Sequence, residues 1–191
     1  TREHLRRQFE TNVIAPMAVT RAALPLLLAA RERPASGIAH PTLANVGSIV
    51  GLFTTPFAGA YCSSKAALHA LSDALRMEAA PLGVQVVTIQ PGGVLSSFGN
   101  NATESLHLPE TSRYQGVANG VRARAKAGQV GATPAAEFVG PVVDALLSAR
   151  PPVVVRGGKG SVTLPLLKRL LPTRWFDAIL SKRFGLAHWK P

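Results

Sequence analysis

The chain has 191 residues, of which 47% are hydrophobic and 16% are charged, and its formal net charge is +11. This composition indicates a globular chain that is long enough for one domain with a hydrophobic core, and it excludes a disordered chain. The longest uninterrupted apolar stretches, such as residues 22–30, are shorter than the roughly 18 residues that a membrane-spanning helix needs.

Helix-like and strand-like patterns alternate along the chain. Residues 1–30 predict one long helix with apolar side chains at helical spacing, which Pro16 and Pro25 are expected to bend. Three apolar runs rich in β-branched residues predict buried strands, over residues 43–48, 84–90 and 152–156. The other predicted helices cover residues 59–80, 114–126 and 133–149, followed by one or two short helices in the tail. The helix over 133–149 is expected to begin with Thr133 as its N-cap and Pro134 as its first helical residue.

The order strand, helix, strand over residues 43–90 predicts a βαβ unit and hence an α/β fold. In open α/β sheets, sites form beyond the carboxyl ends of the strands. Ser48, the start of the helix that carries Tyr61, and the Pro91-Gly92 turn all fall at that edge. We therefore expect one site to contain all three.

Tyr61 and Lys65 are four residues apart on the predicted helix and therefore share a face. A nearby ammonium favours the phenolate, so Lys65 is expected to lower the pKa of Tyr61 and suit it to acid or base chemistry. The spacing alone is common in helices by chance. The predicted strands on both sides of the pair strengthen the interpretation.

In these motifs the chain resembles the short-chain dehydrogenase/reductase family. Asn12 matches the family's helix asparagine, Ser48 its active-site serine, and Tyr61 and Lys65 its tyrosine–lysine pair. The resemblance implies that Tyr61 exchanges the proton of the substrate oxygen and that Ser48 hydrogen-bonds that oxygen. Lys65 would lower the pKa of Tyr61 and hold the nicotinamide ribose, while Asn12 would anchor a water that links Lys65 to solvent.

The resemblance also implies a set of cofactor contacts. Besides Tyr61 and Lys65, the family pattern assigns nicotinamide contacts to the turn with Pro91, Gly92 and Val94, and a further contact to Ser96. The implied reaction is hydride transfer between NADP or NAD, with NADPH favoured, and a carbonyl or alcohol carbon. Parts of the tail are similar to family members that act on lipid or steroid-like carbonyls, such as acyl-dihydroxyacetone-phosphate reductases and hydroxysteroid dehydrogenases, which implies an apolar or lipid-like substrate.

The family's glycine-rich turn, which receives the cofactor's pyrophosphate, has no match in this chain. The glycine cluster at residues 157–160 has neither that spacing nor a P-loop pattern. The expectation is therefore a Rossmann-like, doubly wound parallel sheet of which only the C-terminal half, with about three strands, is present. Residues 1–160 would belong to this NAD(P)-binding domain and residues 161–191 to a basic tail. The alternative is a non-catalytic remnant or interaction module, and a chain that truly starts near Thr1 is expected to show no measurable cofactor binding.

The net charge is concentrated in the tail, where residues 150–191 carry nine basic residues and one acidic residue. Aromatic and apolar residues alternate with the basic ones, which is typical of a helix that binds an anionic membrane surface. The same spacing also fits a helix that covers the active site or a contact in a homo-oligomer. Without a recognised motif, nucleic-acid binding is not expected.

The chemistry of the remaining side chains is expected to be unremarkable. The five histidines lack paired ligand spacing, so no metal site is predicted. The single cysteine, Cys62, excludes an internal disulfide and fits a reducing compartment. These features favour a cytoplasmic protein, peripheral at a membrane or lipid-droplet surface if the tail binds lipid.

Overall fold

A computed structural model describes residues 1–32, 40–98, 103–104 and 106–190. Three parallel strands form one sheet in the order β1-β2-β3, namely β1 (Thr42–Val46), β2 (Gln85–Pro91) and β3 (Val154–Gly157). This arrangement confirms the predicted α/β class and the three parallel strands. β1 ends two residues earlier than predicted because Ser48 caps a 3-10 turn at Ile49–Gly51 instead of continuing the strand.

Helices flank the sheet and connect its strands. They are α1 (Arg2–Phe9), α2 (Ala15–Glu32), α3 (Gly59–Ala79), α4 (Ala118–Lys126), α5 (Ala135–Leu147), α6 (Thr163–Leu170) and α7 (Thr173–Arg183). Shorter 3-10 turns cover Ala80–Leu82 and Arg113–Val117.

The strand β2 lies between the other two, and its alternating side chains build two cores. Val87 and Ile89 pack on one face with Val142 of α5 and Val155 of β3. On the other face, Val86 packs with a cluster drawn from α2, α3 and the strands, namely Leu27, Leu28, Leu43, Leu75, Ala79 and Val84. Because successive strand residues point to opposite faces, one strand can support helical layers on both sides of the sheet.

The N-terminal helical segment runs from α1 to α2 through a π-helical turn at Glu10–Ile14. In a regular α-helix the ring of Pro16 would clash with the carbonyl of Asn12, and the wider π turn relieves that clash. The segment Arg2–Glu32 contains a window of 18 residues that is apolar enough to cross a membrane, judged by length and composition alone. In this structure it packs in the helical layer, where Asn12 bonds to α3 and Arg31 donates to the carbonyl of Leu82.

One predicted helix start is wrong. Thr133 does not cap α5, because its backbone pairs with the segment after β2: its N–H donates to Gly93 and its carbonyl accepts from Leu95. Pro134 occupies the N-cap position, and its side chain makes no capping bond. The tertiary pairing therefore overrides a local capping preference.

The tail docks against the segment that follows Ser48. Phe176 of α7 is buried with Ile49 and Phe53, and its ring meets that of Phe53 edge-on with centroids 5.7 Å apart. Near the C-terminus, Trp189 stacks on Tyr114 with ring centroids 5.2 Å apart. The division into residues 1–160 and 161–191 stays a prediction.

Candidate active site

Ser48 and Tyr61 meet at the carboxyl end of β1. Ser48 lies two residues after β1 and caps the 3-10 turn at Ile49–Gly51, while Tyr61 lies in the first turn of α3. The hydroxyl of Ser48 interacts with the phenol of Tyr61 and lowers its pKa. The sequence motif thus brings two hydroxyl groups together at one edge of the sheet.

The net pKa shift of Tyr61 is nevertheless upward from 10.0, opposite to the direction predicted from Lys65. Burial of the phenol is the largest cause, and it outweighs the lowering effects of Ser48 and of the positively charged Arg124. Lys65 lies near the ring, with Nζ 6.0 Å from its centroid, but donates to the carbonyl of Val46 at 2.9 Å. Burial lowers the pKa of Lys65 from 10.5. At neutral pH the phenol is therefore protonated.

Asn12 approaches the same helix from the π-helical turn. Its Nδ2 donates to Ser64 Oγ at 3.0 Å and to Gln8 Oε1 at 3.2 Å. The buried Ser64 hydroxyl in turn donates to the carbonyl of Tyr61 at 2.8 Å. Asn12 thus connects to the backbone of α3 between Tyr61 and Lys65, and both Asn12 and Lys65 line a cavity of about 410 Å³ at the edge of β1.

The edge of β1 beside this cavity carries no strand among the described residues, because β1 pairs with β2 alone. Val46, the last residue of β1, is 57% exposed. This edge is therefore open to pairing with another strand.

The predicted cofactor turn lies at the end of β2, at the same edge of the sheet. Gly92 donates its N–H to the carbonyl of Gly157 at 2.8 Å, and a Cβ on Gly92 would lie 2.3 Å from the carbonyl oxygen of Lys159. A side chain is therefore excluded at Gly92. The turn with Pro91 and Val94 pairs with the loop after β3 through backbone hydrogen bonds between Gly93 and Lys159. The glycine cluster at residues 157–160 lets the two segments approach this closely.

Ser96 lies further from this group, on the exposed surface. Its N–H donates to Gln129 Oε1 at 3.1 Å and its hydroxyl accepts from the N–H of Phe98. The cofactor-binding roles of Pro91, Gly92, Val94 and Ser96 stay predictions.

Several residues near Tyr61 were not predicted. The ring of Phe98 packs on Tyr61 with centroids 5.3 Å apart, and the rings of Phe57 and Tyr114 meet edge-on at 6.1 Å. Arg124 of α4 donates to the hydroxyl of Thr55. Phe98, Tyr114 and Arg124 are distant from Tyr61 in sequence, so no spacing could have revealed them.

One further side chain on α3 bears on the chemistry. Cys62 is buried and unpaired. Within the described ranges, no three His, Cys, Asp or Glu residues are grouped so that they could hold a metal ion. The site is thus built from hydroxyl, ammonium, amide and aromatic groups.

Comparison with known proteins identifies the family of the chain. Residues 1–107 match the sequence profile described as short chain dehydrogenase. The chain belongs to the short-chain dehydrogenase family. It is 32% identical over 187 residues to the short-chain dehydrogenase cctT of Talaromyces islandicus, covering 95% of this chain and 61% of that protein.

Two other comparisons show the likeness in different ways. The NADPH-dependent 3-dehydrocapnine reductase of Ornithobacterium rhinotracheale is 39% identical over 100 residues, which is 52% of this chain and 34% of that protein. The crystal structure of a short-chain dehydrogenase from Streptomyces avermitilis superposes with a TM-score of 0.67 at 25% identity, covering 97% of this chain and 63% of that one. The chain thus spans about three fifths of the length of the first relatives it matches.

Proposed function

We propose that the protein is an NAD(P)-dependent oxidoreductase that transfers hydride between a nicotinamide and a carbonyl or alcohol carbon. The observation that carries this proposal is that the hydroxyl groups of Tyr61 and Ser48 lie close enough to interact, beside Lys65 at the carboxyl edge of a parallel sheet. A carbonyl oxygen placed between the two hydroxyl groups would accept a hydrogen bond from each.

The protonation state of Tyr61 favours carbonyl reduction. Burial keeps the phenol protonated at neutral pH, so Tyr61 can donate a proton to the substrate oxygen as negative charge develops there. Ser48 hydrogen-bonds the same oxygen, and the positive charge of Arg124 favours the phenolate that remains. Lys65, near the ring of Tyr61, adds a second positive charge.

A nicotinamide cofactor, when bound, supplies the hydride. The residues of this chain fit its nicotinamide end, because Lys65 offers an ammonium group at the carboxyl edge of the sheet, where the Pro91-Gly92 turn also lies. The sequence has no glycine-rich turn for the pyrophosphate. The NADPH dependence stated in the name of the Ornithobacterium relative supports NADPH as the donor.

The walls of the site support an apolar or lipid-like substrate. Phe98 packs directly on Tyr61, and Phe57, four residues before Tyr61, contacts Tyr114, which stacks on Trp189. Such aromatic walls favour substrates with apolar chains or rings over small polar carbonyls.

The test is NADPH-dependent reduction of a series of ketones of increasing chain length. It uses the 191-residue chain and any longer product of its gene, with Ser48→Ala compared with Ser63→Ala. Ser63 is an exposed serine of α3 that bonds only to the nearby carbonyl of Ala60. Loss of a hydrogen bond to the developing charge should lower kcat about 100-fold to 1,000-fold in Ser48→Ala and leave Ser63→Ala unchanged. Equal rates in the two variants, or no NADPH-dependent reduction by any product of the gene, would contradict the proposal.

We also propose that the tail binds an anionic membrane surface. Leu166, Leu167 and Leu170 of α6 share an exposed face, at helical spacing, that is turned away from the core. On α7, Trp175 and Ile179 are likewise exposed, 67% and 53% respectively. Exposed basic residues adjoin these apolar ones, namely Arg169, Arg174, Lys182 and Arg183. An anionic lipid surface fits this face, because it offers apolar contact to the exposed apolar residues and attracts the basic ones.

Co-sedimentation with phosphatidylcholine vesicles, with and without phosphatidylglycerol, tests this second proposal. We expect binding only to the anionic vesicles, weakened by salt, and about tenfold weaker for Leu170→Ser. The matched control is Leu26→Ser, which alters an equally exposed leucine on α2. If Leu170→Ser instead dissociates a dimer in the absence of lipid, the face is a subunit contact and the membrane proposal is wrong.

A further inference from the structure

His69 lies on α3 one turn beyond Lys65 and two turns beyond Tyr61, and its side chain is 8% exposed. Its Nε2 accepts the backbone N–H of Ser48 at 3.3 Å. An imidazole can accept at Nε2 only when that nitrogen carries no proton, so this contact requires the neutral tautomer with its proton on Nδ1. His69 therefore contacts the residue whose hydroxyl meets Tyr61.

Two glycines of the turn around Ser48 leave the space that this imidazole occupies. A Cβ on Gly47 would lie 2.2 Å from His69 Nε2, and a Cβ on Gly51 would lie 2.5 Å from His69 Cε1. Neither glycine has a positive φ, so the steric demand comes from the imidazole rather than from the backbone conformation. The glycines on either side of Ser48 and the histidine form one packing unit.

The other ring nitrogen has no partner. His69 Nδ1 is buried and makes no hydrogen bond with any residue in the described parts of the chain. A buried N–H without a hydrogen-bond partner typically costs about 1–3 kcal/mol. Nδ1 therefore contributes nothing that would hold the ring in place. The contact with Ser48 and the two glycines fix its position.

We propose that His69 is a positioning residue, which fixes the backbone of Ser48 and thereby directs Ser48 Oγ toward Tyr61 and the substrate oxygen. This inference rests on the proposed oxidoreductase function for its catalytic consequence. Its structural content, the acceptor role of Nε2 and the coupling to Gly47, does not depend on that function.

Acidification should disable this arrangement. A protonated Nε2 would present an N–H to the N–H of Ser48, and the hydrogen bond would be lost. The charged groups that act on His69 are Asp73 and Lys65 of α3 and Arg156 of β3; Asp73 raises its pKa, the two cations lower it, and burial lowers it most. The net shift is downward from 6.5, so the contact is intact at neutral pH and fails only in acid.

The first test needs no activity. In ¹⁵N-labelled protein, long-range ¹H–¹⁵N correlation should show His69 with a non-protonated Nε2 at neutral pH, and the Ser48 amide should shift when His69 titrates. A protonated Nε2 at neutral pH would overturn the proposal directly.

A double-mutant cycle tests the coupling by thermal unfolding. Gly47→Ala should lower Tm in the native background but much less in a His69→Ala background, because the imidazole that meets the new Cβ is gone. Gly140→Ala is the matched control, since its Cβ would meet nothing within 4 Å. Equal losses from Gly47→Ala in both backgrounds would contradict the packing unit.

The kinetic test compares two amides that differ in reach. His69→Gln can place Oε1 near the position of Nε2 and should retain most of kcat, whereas His69→Asn is too short and should lose about 10-fold to 100-fold with little change in KM. The acid limb that His69 gives to the pH–rate profile should be absent in His69→Gln. Identical rates in the two variants, or an acid limb that persists in His69→Gln, would overturn the positioning role. If the protein reduces no carbonyl, the proposed function fails, while the NMR measurement and the double-mutant cycle still decide the role of His69.

Discussion

Replacing Phe176 with alanine should strongly destabilise the protein, because this ring joins the tail to the segment beside Ser48. Phe176 is only 4% exposed and packs with Ile49 and Phe53. Truncating a buried phenylalanine costs about 3–5 kcal/mol, which includes the edge-on contact with Phe53 that contributes about 0.5–1.5 kcal/mol. The free energy of unfolding should therefore fall by about 3–4 kcal/mol.

The neighbouring Trp175 provides the matched control. It is also aromatic and on the same helix, but it is 67% exposed, so Trp175→Ala should change the free energy of unfolding by less than about 0.5 kcal/mol. Urea unfolding followed by circular dichroism measures both variants. Similar destabilisation by the two substitutions, or none by Phe176→Ala, would mean that the tail is not anchored through Phe176.

Three other predictions concern the turn, the sheet edge and the proton. Gly92→Ala should lower both Tm and activity, because its Cβ would meet the carbonyl oxygen of Lys159 at 2.3 Å, whereas Gly140→Ala should be neutral in both assays. The 191-residue chain should self-associate through the open edge of β1, where Val46 is exposed. Val46→Lys should weaken this association in sedimentation velocity runs. A native chain that stays monomeric at high concentration would refute the prediction. Because the pKa of Tyr61 is raised, ionisation of its phenol should not lower the rate of carbonyl reduction below pH 10.0. The rate of alcohol oxidation should increase as the pH rises toward that pKa. An oxidation rate that stays flat over this range would contradict the prediction.

The sequence predicted the elements that depend on local pattern. The three strands and the helix that carries Tyr61 appeared close to their predicted bounds, because apolar runs and helical periodicity report burial directly. Thr133 shows where local pattern fails: its capping preference was overridden by backbone pairing with Gly93, a contact between segments that are distant in sequence. The π-helical turn at Asn12 was also not predicted, although Pro16 was expected to disturb that helix.

The residues of the candidate site could be predicted better than their pKa shifts. The spacing of Tyr61 and Lys65 and the position of Ser48 after a strand sufficed to place these residues together. The direction of the Tyr61 pKa could not be derived from spacing, because it depends on burial and on Arg124, which only the folded chain brings near. The role of His69 could not be derived from the sequence, because its contact with Ser48 requires the turn geometry set by Gly47 and Gly51.

The most direct measurement of the central claim uses the two tyrosines of the chain. Tyr61→Phe and Tyr114→Phe each remove one phenol hydroxyl and leave an aromatic ring in place. If Tyr61 donates the proton, the kcat of NADPH-dependent carbonyl reduction should fall about 100-fold to 10,000-fold in Tyr61→Phe and remain near the native value in Tyr114→Phe. A Tyr61→Phe protein that reduces the same carbonyl at the native rate would contradict the account.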